Sequence, residues 1–331
     1  MKRNTRTMAG LFLVLLLMIS TACGAVNSES NKTTTPTEDP GTTNTDASNQ
    51  QRIITTLKGD ISIPSNPQKV IGLSVVYPEF LYALGVTPIA VQNYHEDFPS
   101  YLQEAFKDTV KMGIAQTPNF EAILAAEPDL IIAPTWWSDK DYDQLSKIAP
   151  TVLLPQRDNW RDELLDIADV LDKKSLAEKV IQDLQTKETE AKEKLHSLVG
   201  DETVMYMMIM AKEIVIYGEN IDRGSFIHKQ LGLKPIPEYP QTELSLSISL
   251  EKIPEYNPDY IILQLNDEGN EEMQNRYKEI MESSLWKNMT AVKKNQVYTV
   301  GSKEWFNLGM SPLADSYAID EVVRVFENKQ K

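Results

Sequence analysis

The chain is poor in the residues that most often bind metals or act as nucleophiles. Of 331 residues, one is cysteine, Cys23, and three are histidine: His95, His196 and His228. One cysteine excludes an intramolecular disulfide, and three scattered histidines lack the spacing of a zinc or haem site. The sequence also lacks a G-x-S-x-G nucleophile elbow, an H-E-x-x-H helix and a phosphate-binding glycine loop. We therefore predict no catalytic residue, no metal site and no cofactor.

Positive charge is scarce as well. Lysine and arginine number 33 against 48 acidic residues, which gives a formal net charge of −15. No basic stripe offsets this excess, so nucleic acid is excluded as a partner. Basic residues that converge on a cleft would be a local exception.

Long apolar runs are absent apart from residues 11–19, a run too short to span a bilayer. Basic residues precede it, and the small residues 20–22 separate it from Cys23. The segment resembles a bacterial lipoprotein signal peptide, which predicts removal of residues 1–22 and lipidation of Cys23. The alternative is an ordinary secretory signal with an unrelated cysteine beside the cleavage site.

The composition divides the rest of the chain. Residues 23–52 consist of the lipidated cysteine and a polar stretch with almost nothing to bury, which predicts a disordered tether near the membrane. The roughly 280 residues that follow suit two domains. We expect an N-terminal α/β lobe at 53–158, connecting helices at 159–200 and a C-terminal α/β lobe at 201–331.

One long amphipathic helix is predicted at residues 175–200. Ser175 and Glu178 have the spacing of a capping box, and Gly200 supplies the stop. Apolar residues recur between them at spacings of three, four and seven, and form one stripe: Leu176, Val180, Ile181, Leu184, Ala191, Leu195 and Leu198. At about 1.5 Å per residue this helix is long enough to bridge two lobes.

Strand and helix patterns alternate on both sides of this helix, which predicts α/β lobes with largely parallel sheets. Strands are predicted at 70–76, 89–92, 130–133, 152–154, 203–210, 214–217, 260–263 and 296–300. Helices are predicted at 78–84, 121–126, 142–148, 160–171, 224–231, 271–281 and 312–326.

A dispersed motif occurs once on each side of the helix. Glu121-x-Ile123 is followed by Pro128-Asp-x-Ile-Ile, and Glu251-x-Ile is followed at the same distance by Pro258-Asp-x-Ile-Ile. A pattern with this register indicates two similar lobes.

Aromatic and basic residues recur just after predicted strands or at the start of the connecting region. Because ligands of open α/β sheets bind beyond the carboxyl ends of the strands, these residues are expected to meet in one cleft between the lobes. For any one of them, a packing aromatic or a solvated arginine is an equally good interpretation. The predicted ligand-binding residues are Tyr94, Trp136, Trp137, Trp160, Arg161, Tyr217, Arg223 and Trp305.

These features together resemble the ferric siderophore-binding lipoproteins of Gram-positive bacteria. The group belongs to the class III periplasmic-binding-protein family, which also contains cobalamin and haem receptors. The resemblance extends over about residues 53–326 and includes the local sequences at 147–152, 217–225 and 231–235.

The resemblance implies a monomeric receptor on the extracytoplasmic face of the membrane, anchored at Cys23. It would bind a ferric siderophore between the lobes, with every iron ligand supplied by the siderophore, and deliver it to an ABC permease dimer. Glu121 and Glu251 would pair with arginines of that permease; alternatively each only caps the helix that it begins. A haem or cobalamin receptor of the same fold, and a surface enzyme or adhesin, stay open.

The distribution of positive charge favours a hydroxamate ligand. Arg157, Arg161, Lys212, Arg223 and Lys303 are dispersed among aromatics, whereas a strongly negative tri-catecholate complex would favour a dense basic cluster. Mixed citrate-hydroxamate and catecholate ligands are the alternatives. A single helical bridge also predicts modest closure on binding.

Overall fold

A computed structural model describes residues 50–114, 117–220, 222–239 and 243–328. The predicted signal peptide, the lipidation of Cys23 and nearly all of the tether lie outside these residues. Within them, no helix is both long and apolar enough to cross a membrane.

The N-terminal lobe contains an antiparallel hairpin and a fully parallel five-stranded sheet. The strands are β1 (Gln51–Thr56), β2 (Gly59–Pro64), β3 (Val70–Gly72), β4 (Ala90–Val91), β5 (Val110–Lys111), β6 (Leu130–Pro134) and β7 (Thr151–Leu154). β1 pairs with β2, and the sheet order is β5-β4-β3-β6-β7. The hairpin is absent from our sequence prediction, and it begins two residues before the predicted start of the lobe at 53.

Helices cover this sheet, so its central strand β3 and the neighbouring β6 are buried on both faces, and every residue of both strands is buried. The helices are α1 (Tyr77–Ala83), α2 (Phe120–Ala126), α3 (Thr135–Ser138) and α4 (Tyr142–Ile148), with a 3₁₀ turn at Asp139–Asp141. The connecting region follows as α5 (Trp160–Val170) and α6 (Lys174–Val199).

α6 is the predicted bridging helix, and its 26 residues end at Gly200, whose φ of +63° favours glycine. The predicted capping box is wrong. The helix begins at Lys174, so Ser175 already lies inside the first turn and no side chain caps this end. Leu176 is exposed, and the stripe that packs on α5 and on the C-terminal helix contains Ala177, Leu184, Glu188, Ala191, Leu195 and Val199.

The C-terminal lobe contains a mixed five-stranded sheet of order β10-β9-β8-β11-β12. β8, β11 and β12 are parallel, and β9 runs antiparallel to both of its neighbours. The strands are β8 (Val204–Ile209), β9 (Ile214–Tyr217), β10 (Ser245–Ile248), β11 (Tyr260–Leu265) and β12 (Val297–Val300). β10 is absent from the prediction although Ser245–Ile248 alternates polar and apolar side chains, and Leu246 within it is exposed.

The helices of this lobe are α7 (Asp222–Ser225), α8 (Ile253–Tyr256), α9 (Glu271–Glu282), α10 (Ser284–Lys287), α11 (Thr290–Lys293) and α12 (Pro312–Asn328). A π-helical turn at Phe226–Gln230 continues α7, and a 3₁₀ turn at Leu250–Lys252 precedes α8. α12 returns to pack along α6 and also contacts α1 of the other lobe.

The repeated motif occupies the same place in both lobes. Its Pro-Asp leads into β6 beside β3 in one lobe and into β11 beside β8 in the other. The Asp129 carboxylate accepts hydrogen bonds from the backbone N–H of Gln68 (2.7 Å) and Lys69 (3.0 Å), and the Asp259 carboxylate accepts one from that of Thr203 (2.9 Å). Each aspartate thus fixes the chain as it enters the first strand of the lobe's sheet.

One hydrophobic core joins the two lobes through the helices. It includes Ile132 of the first sheet, Leu195 of α6 and Ile262 of the second sheet. The predicted fold, two similar α/β lobes with largely parallel sheets joined by one long helix, is confirmed.

Candidate functional site

A cavity of about 560 Å³ lies between the lobes, and we call it the cleft cavity. The strand order reverses between β3 and β6 in one sheet, and the segments after both strands reach the cavity, as expected where open α/β sheets bind ligands. The N-terminal lobe contributes Ser74, Val76, Tyr77 and Trp136; the connection contributes Arg157, Asp158, Trp160, Arg161 and Glu163; and the C-terminal lobe contributes Asn220, Asp222, Phe226, Met310 and Asp315.

The wall of the cleft cavity is organised around Trp160, which is only 5% exposed. Its ring stacks on Phe80 with the ring centroids 6.3 Å apart, and the Arg161 guanidinium lies 4.5 Å from the ring centre. Its Nε1 donates a hydrogen bond of 3.1 Å to Oδ2 of Asp315. Asn159 caps α5 by accepting from the backbone N–H of Arg161 at 2.9 Å. This cap fixes the turn that carries Trp160 and Arg161 to the cavity.

Both arginines of the cavity wall are already paired with acids. Arg161 is 2.6 Å from Glu188 of α6, measured between guanidinium nitrogen and carboxylate oxygen. Arg157 makes two hydrogen bonds of 2.6 and 2.8 Å to the carboxylate of Asp166. Neither partner acid lines the cavity. Much of the positive charge that these arginines offer to a ligand is therefore neutralised by acids outside the cavity.

The cavity wall also carries four acidic residues, Asp158, Glu163, Asp222 and Asp315. Burial raises the pKa of Glu163, although the Tyr77 hydroxyl donates to it at 3.0 Å. Burial also raises the pKa of Asp222. The strongest effect falls on Asp315, which is inaccessible and whose pKa burial raises to about 8. Asp315 is therefore neutral below about pH 8, and the other three acids are the ones that can offset the arginines of the wall.

The raised pKa of Asp315 predicts a titration that tryptophan fluorescence can follow. We expect a step with a midpoint at about pH 8, because Asp315 accepts a hydrogen bond from the Trp160 ring. Asp315→Asn should abolish the step, and so should Trp160→Phe, which keeps the packing but not the N–H.

The raised pKa of Asp315 also makes the free energy of unfolding depend on pH. Between about pH 4, where an unfolded aspartate titrates, and pH 8, the folded chain holds a proton that the unfolded chain has released. The contribution of Asp315 to the free energy of unfolding is therefore complete below about pH 4 and is lost as the pH rises through about 8. Melting temperatures that do not differ in pH dependence between the parent and Asp315→Asn would contradict this assignment.

Trp136 and Trp137 lie at the end of β6, as predicted, but differ in environment. Trp136 is 60% exposed and borders the cleft cavity. Trp137 packs edge-on against it with the centroids 5.5 Å apart, and its buried Nε1 has no hydrogen-bond partner among the described residues. Trp136 is thus the large apolar side chain that a ligand would meet at the rim.

Five of the eight predicted ligand contacts do not line the cleft cavity: Trp137, Tyr94, Trp305, Arg223 and Tyr217. The last three make their contacts within the C-terminal lobe. Trp305 is 0% exposed, and its Nε1 donates to Glu321 at 2.6 Å. Arg223 is buried and donates to the backbone carbonyl oxygens of Trp305 (2.7 Å) and Phe306. Tyr217 stacks on Tyr206 with the centroids 5.2 Å apart. These residues fix the loop after β12 within the C-terminal lobe.

Tyr94 makes a contact between the lobes at a separate place. Its ring stacks on Phe306 with the centroids 4.9 Å apart, and its hydroxyl accepts a hydrogen bond of 3.1 Å from Asn266. Its neighbours enclose a cavity of only about 50 Å³, too small for a ligand of the expected kind.

The sequence interpretation overlooked Glu163, Glu188 and Asp315. A signal was present for two of them. Glu188 interrupts the apolar stripe of α6 between Leu184 and Ala191, and Asp315 lies on the buried face of α12. An acid at a position that the helical period assigns to the core requires a partner, and both acids have one in the cleft wall.

Glu121 and Glu251 are both exposed. α2 connects the parallel strands β5 and β6, so it runs antiparallel to them and begins at the edge of the sheet where the strands have their carboxyl ends. The turn at Leu250–Lys252 has the equivalent position in the C-terminal lobe. In α2 the cap is Asn119, whose side chain accepts from the backbone N–H of Ala122 at 3.0 Å. Glu121 is therefore not the side-chain cap, although its charge lies in the first turn, where it favours the helix.

The described residues contain no group of three histidine, cysteine, aspartate or glutamate side chains that could hold a metal ion. Two lobes, a bridging helix and a cavity lined from both sides define a binding protein of the two-lobed receptor class.

Comparison with known proteins identifies the family. A family model described as periplasmic binding protein matches residues 70–304, and the chain belongs to this family. Its members are substrate-binding proteins of transporters and not enzymes, so an enzymatic role is excluded.

Three similar proteins illustrate the relationship. The probable siderophore-binding lipoprotein YfiY of Bacillus subtilis is 30% identical over 96% of this chain and 97% of its own. The iron(3+)-hydroxamate-binding protein FhuD of the same organism is 30% identical over 88% of each chain. The solved structure of Staphylococcus aureus SirA complexed with staphyloferrin B has a TM-score of 0.69 and 25% identity, and the match covers 83% of this chain and 98% of that chain.

Proposed function

We propose that this chain is the ferric siderophore receptor of an ABC importer, that it acts as a monomer, and that its ligand is a ferric hydroxamate. It would be held at the extracytoplasmic face of the membrane by a lipid on Cys23. The relatives named above bind siderophores or iron(3+)-hydroxamates, according to their descriptions. The observation that carries the proposal is the cleft cavity, whose volume of about 560 Å³ lies within the usual range of ligand sites.

The charge of the cleft wall supports the hydroxamate class. Two arginines line the cavity, and each is paired with an acid outside it, while Asp158, Glu163 and Asp222 line the wall directly and Asp315 is neutral below about pH 8. A strongly anionic catecholate or citrate complex would meet little uncompensated positive charge here. A neutral or cationic ferric trihydroxamate suits the wall better, because the exposed Trp136 can contact its apolar body and the guanidinium groups its oxygens. The iron arrives as cargo, coordinated by the siderophore.

The second part of the proposal concerns the permease. Glu121 and Glu251 are exposed and begin equivalent segments of two similar lobes. A permease dimer offers the same surface twice, so a receptor with one acid on each lobe can dock on both subunits. Exposed charge pairs contribute orientation and association rate more than affinity, which suits a receptor that must also dissociate.

A tryptophan fluorescence titration tests the ligand assignment. The full chain, expressed with its signal peptide and purified from membranes, is titrated with ferric hydroxamate, ferric catecholate, iron-free hydroxamate, hemin and cobalamin. Trp136 and Trp160 border the cavity, so we expect saturable quenching by the ferric hydroxamate at nanomolar to low-micromolar concentration. Saturation only by hemin or cobalamin would overturn the ligand class, and the absence of any saturation would overturn the receptor function.

A further inference from the structure

The two arginines of the cleft cavity share an arrangement that their ligand-binding role does not require. Each arginine lines the cavity, and each is paired with an acid that does not. Glu188 of α6 is 2.6 Å from Arg161, and Asp166 of α5 binds Arg157 through two hydrogen bonds. The acids therefore lie behind the wall, where they act on the charge that a ligand meets but have no contact with the cavity.

Glu188 is the more informative of the two acids. It is only 8% exposed and lies within the apolar stripe of α6, with Leu184 one turn before it and Ala191 one turn after it. A buried ion pair adds little or no stability over well-packed apolar side chains of similar size. Burial raises the pKa of Glu188, and Arg161 opposes that shift. Stability alone does not account for an acid at this position, whereas neutralisation of Arg161 does.

We propose that Glu188 determines the charge specificity of the cleft, assisted by Asp166. By neutralising Arg161 and Arg157 from outside the cavity, these two acids make the receptor discriminate against anionic ferric complexes in favour of neutral and cationic ones. This inference rests on the proposed function as a ferric siderophore receptor. It adds residues that touch no ligand and act only through the arginines.

Electrostatics explains how a residue outside the wall can select the ligand. With Glu188 ionised, the pair that it forms with Arg161 has no net charge. Glu188→Gln keeps an oxygen that can accept from the guanidinium, so Arg161 keeps its position over Trp160 but gains one unit of net positive charge. Against a trianionic complex, one such unit changes affinity by roughly tenfold or more at an effective dielectric constant of about 20.

The experiment compares the full-length parent and Glu188→Gln, both purified from membranes, with four probes. Ferrichrome is a neutral hydroxamate complex, ferrioxamine B a cationic one, and ferric enterobactin and ferric citrate are anionic. We expect the variant to bind the anionic probes at least about tenfold more tightly than the parent does, with the affinity for ferrichrome changed by less than about threefold. The gain should shrink as salt is raised, because mobile ions screen charges in an open cleft.

A matched control separates the local effect from the loss of one negative charge. Asp183→Asn lies on the same helix, removes the same charge and breaks a surface pair with Lys179, but it does not line the cavity. It should leave all four affinities unchanged. Near-ultraviolet circular dichroism verifies that each variant is folded. If Glu188→Gln does not fold, Asp166→Asn tests the same idea at the more exposed arginine, with a gain of a few-fold expected.

The outcomes distinguish this inference from the proposed function. If the parent binds hydroxamates and the folded variants gain nothing for the anionic probes, the inference fails and the receptor function stands. If the parent already binds ferric enterobactin or ferric citrate more tightly than the hydroxamates, the inference and the hydroxamate assignment fail together. If the parent binds none of the four complexes, the receptor function itself fails.

Discussion

We expect cells in which Glu121 and Glu251 are both changed to alanine to lose growth on a ferric hydroxamate as the only iron source. The initial rate of uptake should fall by about tenfold or more, because each lobe loses the charge that orients it on one permease subunit. Single changes should give intermediate rates. Both side chains are exposed and neither lines the cleft cavity, so the purified double variant should bind the ferric complex with the parent's affinity.

The matched control is a second pair of exposed glutamates changed to alanine, Glu178 and Glu193 on α6. This pair removes the same charge from the bridging helix and should support normal uptake. Normal uptake by the Glu121/Glu251 variant would show that these acids have no part in docking. Loss of ligand binding by that variant would instead assign them to the architecture of the lobes.

The paired motif shows what the sequence was able to predict. Its isoleucines are buried, its aspartates fix the entry to the first strand of each sheet, and its spacing is the same in both lobes. Such local constraints depend on hydrophobic period and turn chemistry, which a sequence displays directly. The hairpin of β1 and β2 and the strand β10 were missed although β2 and β10 alternate polar and apolar residues, because these strands are short and partly exposed and lack the buried apolar runs of the central strands.

The candidate site was predicted less completely, and two tryptophans show why. Trp160 opens the connecting region and Trp305 follows a strand, and both were expected in the cleft. The cap on α5 places Trp160 in the cavity wall, whereas Trp305 is 0% exposed and does not line the cavity. An aromatic residue beyond a strand can adopt either environment, and the choice depends on tertiary contacts.

The partners of the acids Asp315 and Glu188 could not be predicted without the fold, for a similar reason. Asp315 lies 155 residues after Trp160, and Glu188 lies 27 residues after Arg161. Periodicity marks each acid as misplaced in an apolar stripe, but only the packing of α6 against α5 and of α12 against α6 brings each acid to its partner.

The expectation of modest closure now has a physical basis beyond the single helix. The lobes share a continuous core along α5, α6 and α12. A second connection is formed by Glu79 of α1, which is buried and accepts hydrogen bonds across the lobe boundary from Asn307 (2.7 Å) and Ser311. Tyr101 of its own lobe donates at 3.3 Å. Burial raises the pKa of Glu79, and these donors oppose that shift.

We expect Glu79→Ala to lower the free energy of unfolding by about 3 to 5 kcal/mol, because it leaves the buried donors of Asn307 and Ser311 without their acceptor. Glu79→Gln keeps one acceptor oxygen and should cost about 1 to 2 kcal/mol. Urea denaturation followed by circular dichroism measures both. Glu104→Ala, an exposed glutamate of the same lobe, is the control and should change stability by less than about 0.5 kcal/mol.

A cost below about 1 kcal/mol for Glu79→Ala would show that the hydrogen bonds across the boundary contribute little. The lobes would then be held by the shared core and α6 alone, and closure around a ligand would have to bend that helix or shear the core. A cost in the expected range would place a second fixed point between the lobes, on α1. Two fixed points leave the short helix α3, which carries Trp136, and the loop that carries Met310 as the parts of the cleft wall that can adjust to the ligand.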